Sequence, residues 1–66
     1  MYEIKFKENL RILRRDKNWT QSELAKMVGV DQRTISAWEQ GVCEPNFSML
    51  FKLCELFDET IEGLLT

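Results

Sequence analysis

The chain has 66 residues, 44% of them hydrophobic, with nine Lys and Arg against eleven Asp and Glu, two cysteines and no histidine. That length allows one domain, residues 1–66, which buries only about 60% of the surface its unfolded form exposes. Without histidine the commonest general base is missing, and so small a domain seldom encloses a substrate pocket. Most enzyme chemistry is therefore excluded, and no metal, cofactor or small-molecule substrate is expected. Cys43 and Cys54 lie eleven apart, neither a metal-ligand spacing nor a secreted disulfide framework. The longest apolar run, Met49-Leu50-Phe51, is far short of the roughly 20 residues of a membrane span. The opening residues also lack the pattern of a signal peptide. The expectation is a cytoplasmic, reduced domain that takes its reinforcement from a second copy.

Charge is unevenly spread. Residues 1–33 hold eight of the nine basic residues and a surplus of +3, whereas residues 34–66 hold only Lys52 against six acids. Such asymmetry suits a molecule with one side facing an anion, although two ordinary solvated faces would look the same.

In chain order, Phe6, Leu10 and Leu13 recur at helical spacing and predict an amphipathic helix over 3–17, with Asn18 as a left-handed stop. Thr20 and Glu23 form a capping box for the next helix, flanked by Trp19 and Leu24 as its hydrophobic staple. Leu24, Ala25 and Val28 face inward, and Gly29 ends this helix. Asp31 caps a third helix, Gln32–Gln40, with Ile35 and Trp38 as its apolar stripe and Gly41 as its stop. After a loop over 42–45, Asn46 caps a fourth helix over about 47–57. Thr60 caps a short fifth, Ile61–Leu65, weakened by Gly63 within it. No strand alternation appears, so the fold class is all-α with five helices.

Helices two and three are separated by three or four residues that include a glycine, the spacing of a helix-turn-helix. Ala25 suits a close helix crossing and Gly29 a positive φ at the turn. With Leu24, Val28, Val30, Ile35 and Trp38 inward, Gln32, Arg33, Ser36 and Ala37 face out. Glutamine can pair with adenine N6/N7 and arginine with guanine O6/N7; serine bonds to either, and alanine touches a thymine methyl.

Thr20-Gln21-Ser22-Glu23-Leu24-Ala25, Gly29-Val30, Thr34-Ile35-Ser36, Trp38-Glu39, Gly41 and Glu44-Pro45 together resemble the lambda repressor/Cro-like helix-turn-helix family, also called the Xre family. The likeness runs over nearly the whole chain. It implies a compact five-helix domain whose third helix enters the major groove of double-stranded DNA, as a homodimer on a two-fold operator. By position, Gln32, Arg33, Ser36 and Ala37 match the base-facing places, and Thr20 and Gln21 the phosphate-gripping start of helix two. The resemblance also implies that Arg14 and Glu39 form an ion pair joining helices one and three.

Three departures stand out. The loop after helix three is Val42-Cys43-Glu44 where basic residues are common, and Ala37 replaces a long polar side chain. Glu59 and Gly63 stand where an apolar residue and a helix former are usual, so the last helix is expected to be loose or held by a partner.

Thr34, Arg15 and the indole N–H of Trp38 are further candidates for phosphate contact, against the plainer readings of a solvated face for Arg15 and a core position for Trp38. Arg11, Lys5 and Lys7 have the same two readings. Cys54 reads as core, and nothing beside Cys43 marks it as a redox sensor. Phe47, Phe51, Leu56, Leu64 and Leu65 exceed what one helix face needs to bury and are assigned to a homodimer interface, with a generous core as the alternative. The functional expectation is a sequence-specific transcriptional repressor. The rival is a protein-interaction module of the same fold, such as an antitoxin, that works through its apolar C-terminal helices.

Overall fold

Five helices, α1 (Phe6–Asp16), α2 (Gln21–Val28), α3 (Gln32–Gln40), α4 (Phe47–Phe57) and α5 (Ile61–Leu65), follow one another in a computed structural model that describes residues 3–66. Four of the five are capped by the side chains that the sequence offers. The Thr20 hydroxyl accepts from the Glu23 N–H at 3.0 Å while the Glu23 carboxylate accepts from the Thr20 N–H at 2.9 Å, which completes the capping box. Asp31, Asn46 and Thr60 accept from the N–H groups of Arg33, Met49 and Gly63. Asn18, Gly29 and Gly41 take the left-handed conformation that ends the first three helices.

The first helix is shorter than its sequence pattern, starting at Phe6 rather than residue 3. The cause is tertiary: the Lys5 N–H donates 2.6 Å to the Leu65 carbonyl, so the chain before Phe6 is held by the end of α5 and not by a helical turn. Its inward stripe also differs, with Phe6, Leu10 and Arg14 buried and Leu13 only half-buried.

Each helix supplies one fully buried aliphatic side chain: Leu10, Leu24, Ile35, Leu53 and Leu64 all have no exposed surface. Each such burial contributes about 1.5–3 kcal/mol, so no helix can leave the bundle without losing its share. Trp19 closes the core from the loop before α2, its ring 5.5 Å from that of Phe57. Burial raises the pKa of the Cys54 thiol, which lies in the same core.

Leu64 corrects one expectation. Assigned to an interface with a second copy, it is part of the monomer's own core, because α5 docks on α1. The Asn9 side-chain amide donates to the Leu64 carbonyl at 3.0 Å. Leu56 and Leu65 are half-buried and pack partly on the same core. The last helix is joined to the bundle through the buried Leu64 and through the Leu65 carbonyl, which accepts from the Lys5 N–H. Glu59 and Gly63, both unusual at their positions, fit one another: the Glu59 carboxylate accepts from the Thr60 N–H and lies where a Cβ on residue 63 would stand. Glycine there leaves room for the Glu59 carboxylate.

Candidate nucleic-acid interface

The outward face of α3 begins with Gln32 and Arg33, both exposed, and continues with the half-buried Thr34, Ser36 and Ala37. Beneath it, Ile35 and Trp38 are buried, so the core fixes which way this face points. Trp38 is 3% exposed and packs as a core side chain, while its indole nitrogen is not among buried polar atoms left without a partner.

At the centre of the site lies an ion pair. Arg14 of α1 meets Glu39 of α3 through two bonds, Nε to Oε2 at 2.6 Å and Nη2 to Oε1 at 3.0 Å, with side-chain exposures of 11% and 4%. The third donor direction of the guanidinium, Nη1, reaches the Trp19 carbonyl at 2.8 Å. The bond to Glu39 raises the Arg14 pKa above its ordinary value against the opposing effect of burial, so the cation persists at any working pH. Arg11 adds a bond from its guanidinium to the Glu39 carbonyl at 3.0 Å, close to the C-terminal end of α3 where a cation is favourable.

From this buried pair a chain of amides runs outward. The Gln21 side chain donates to Glu39 Oε1 at 3.2 Å, and its own Oε1 accepts from Gln32 Nε2 at 3.0 Å. Gln21 opens α2 and Gln32 opens α3, so the first residues of two helices are tied to one carboxylate. Bonds of this kind restrict rotamers before a ligand arrives, which lowers the ordering cost of binding. Ser36 is engaged too, accepting from Gln40 Nε2 at 3.1 Å.

Beside this network Arg11, Arg14, Arg15, Gln21, Glu39 and Gln40 line a polar cleft of about 270 Å³. Arg15 is exposed at its rim, and with the α2 N-terminus close by the cleft has the donors an anionic oxygen needs. Gln40 was not singled out by the sequence reading. Its signal was its place four residues after Ser36, on the same helical face. Thr20 is exposed, but its hydroxyl already caps α2. Phe47 and Phe51 stand apart from this face and are 80% and 59% exposed. Among the described residues no group of metal-ligating side chains occurs, and no helix is long and apolar enough to cross a membrane.

Residues 10–64 match the family model described as helix-turn-helix. The chain is 40% identical over 63 residues to the HTH-type transcriptional activator BcrR of Enterococcus faecalis, covering 96% of this chain but 31% of that one. It is 37% identical over 46 residues to antitoxin HipB of Escherichia coli K12, covering 70% of this chain and 52% of HipB. The chain thus spans a third to a half of these two relatives. Among solved structures, the P22 c2 repressor in complex with a synthetic operator superposes with a TM-score of 0.87 at 34% identity, with 92% of each chain covered. Capped helices, the α2–α3 turn and these matches agree, and the chain belongs to the lambda-repressor-like (Xre) helix-turn-helix family of DNA-binding transcriptional regulators.

Proposed function

We propose that this protein is a cytoplasmic, non-enzymatic transcriptional repressor that binds a two-fold operator as a homodimer and needs no cofactor. One observation carries the reading: Gln32, Arg33 and Ser36 share the outward face of a helix whose first residue is hydrogen-bonded to Gln21. Gln32, Arg33 and Ser36 read base edges in the major groove, with Ala37 against a thymine methyl. Thr20, Gln21, Thr34 and Arg15 set the register on phosphates. Repression is favoured by the similarity to the P22 c2 repressor solved in complex with a synthetic operator, at 34% identity over 92% of this chain.

Titrating a generic duplex at low salt while recording amide NMR shifts tests the reading without knowledge of the operator, because phosphate attraction alone drives weak binding. Shifts confined to residues 20–23 and 31–37 are expected, fading as salt rises. A folded protein whose shifts lie elsewhere abandons it. Once an operator has been selected, Arg33→Ala costs about 1–3 kcal/mol and relaxes specificity at one base pair. Equal weakening on every sequence would instead make Arg33 a phosphate contact.

The second reading, an interaction module that binds another protein through α4, is favoured by the exposure of Phe47 and Phe51 and by the similarity to antitoxin HipB. Undiminished partner binding after Gln32 and Arg33 are both replaced by alanine would select it.

A further inference from the structure

Lys52 is the only basic residue in 34–66, and it is not among the residues that line the polar cleft. Its Nζ reaches from α4 to the Val28 carbonyl at 2.9 Å. Val28 is the last residue of α2, and its carbonyl has no partner further along that helix. The Ala25 carbonyl, by contrast, accepts from the N–H groups of both Gly29 and Val30 in the ordinary way of a helix end. The same ammonium lies 3.9 Å from the place a Cβ on Gly29 would occupy, so Lys52 sits over the turn between α2 and α3. That turn depends on a glycine at φ 86°, the one residue type that takes this conformation without strain.

The direction of a rod is fixed by holding it at two points. Arg14 and Arg11 of α1 hold the C-terminal half of α3 through Glu39. At its N-terminal end α3 is held by the Gln32–Gln21 side-chain bond and by the glycine turn, and Lys52 ties the backbone of that turn to α4. We propose that Lys52 is a positioning residue for DNA recognition: by bonding the Val28 carbonyl it fixes the angle at which α3 presents Gln32, Arg33 and Ser36. This rests on the DNA-binding function proposed above. Lys52 touches no base and sets specificity through the backbone of the turn.

The test compares wild type, Lys52→Met and Lys52→Arg on two probes. One is a duplex enriched from a random library by the wild-type protein, and the other is a scrambled duplex of the same composition. Each is measured at several salt concentrations, at a temperature where circular dichroism shows all three proteins folded. Lys52→Met is expected to bind the enriched duplex about tenfold more weakly, the size of effect seen for residues that act without touching the ligand. Its affinity for the scrambled duplex and its salt dependence stay as in wild type, and Lys52→Arg restores recognition. In the free protein, Lys52→Met shifts the amides of Gly29 to Gln32 and leaves those of α1 unmoved.

An equal loss on both probes, with a salt slope shallower by about 0.9, would make Lys52 a phosphate contact and overturn the proposal. Unchanged binding to both probes overturns it as well. Failure of the wild type to enrich any duplex overturns the DNA-binding reading itself. Enrichment by the wild type with an indifferent Lys52→Met overturns only the positioning role.

Discussion

Glu39 shows how a single side chain can serve both stability and recognition. Its carboxylate accepts from Arg14 twice and from Gln21 once, and its carbonyl accepts from Arg11. A buried ion pair is not a strong net stabiliser, but removing one partner leaves the other charge buried without compensation. Glu39→Ala should therefore lower the free energy of unfolding by about 3–5 kcal/mol, a large part of the roughly 3–10 kcal/mol that a chain of 66 residues commands. The double change Arg14→Met with Glu39→Leu should cost less than Glu39→Ala alone. Urea melts followed by circular dichroism decide this, and a double variant less stable than the single one would show that the pair itself, not its desolvation, dominates. Such a variant would still lose the link to Gln21 and Gln32, so its fold and its DNA recognition separate.

At the scale of elements, capping explains why helices of only eight and nine residues persist. Isolated helices this short are marginal in water, so α2 depends on its cap and on packing. The Thr20 N–H, and after it the Thr20 hydroxyl, hold the Glu23 carboxyl below its usual pKa. A carboxyl that is more acidic in the folded state stabilises the fold above its unfolded pKa and loses that contribution as pH falls through and below about 4.3. Glu23→Gln keeps an acceptor for the capping box but removes the titration. It should melt below wild type at pH 7, with the gap closing as pH falls towards 3. A gap that is constant with pH would mean that the Glu23 charge is irrelevant to α2.

For the whole molecule, charge and size point the same way. The basic surplus of residues 1–33 is partly internal, since Arg14 pairs with Glu39 and Arg11 caps α3, which leaves Arg15 and Arg33 among the exposed cations. The longest dimension is 34 Å, about the distance between successive major-groove faces of DNA, so the two-fold operator proposed above would take two copies of this single helix-turn-helix. Ile4, Val42, Phe47 and Phe51 are all more than half exposed, and beside Phe47 runs an apolar groove of about 250 Å³ lined by Ile4, Pro45, Leu50 and Leu65. Exposed apolar surface of this kind suits the homodimer proposed above. Phe51→Glu, at a side chain the core does not use, should leave the melting temperature near wild type while shifting sedimentation equilibrium to monomer and weakening operator binding. A variant that still dimerises would place the interface elsewhere.

Local chemistry determined most of the fold. Thr20, Asp31, Asn46 and Thr60 start helices, Asn18, Gly29 and Gly41 stop them, and apolar spacing selects the inward faces, because each of these signals acts within a turn or two of chain. The α2–α3 turn and the outward places of Gln32 and Arg33 follow from the same short-range rules. What periodicity could not reveal was contact between residues distant in sequence. The start of α1 at Phe6, the burial of Leu64 and the docking of α5 all arise where α5 meets α1, 55 residues apart at the Asn9–Leu64 bond. Whether an apolar side chain joins the monomer core or a partner's surface is a question of which helix lands on it. Leu64 was covered and Phe47 was not, and nothing in their local spacing separates the two. The Gln32–Gln21–Glu39 chain and the reach of Lys52 to Val28 likewise exist only once three helices have met, since a hydrogen bond needs its partners within about 3 Å.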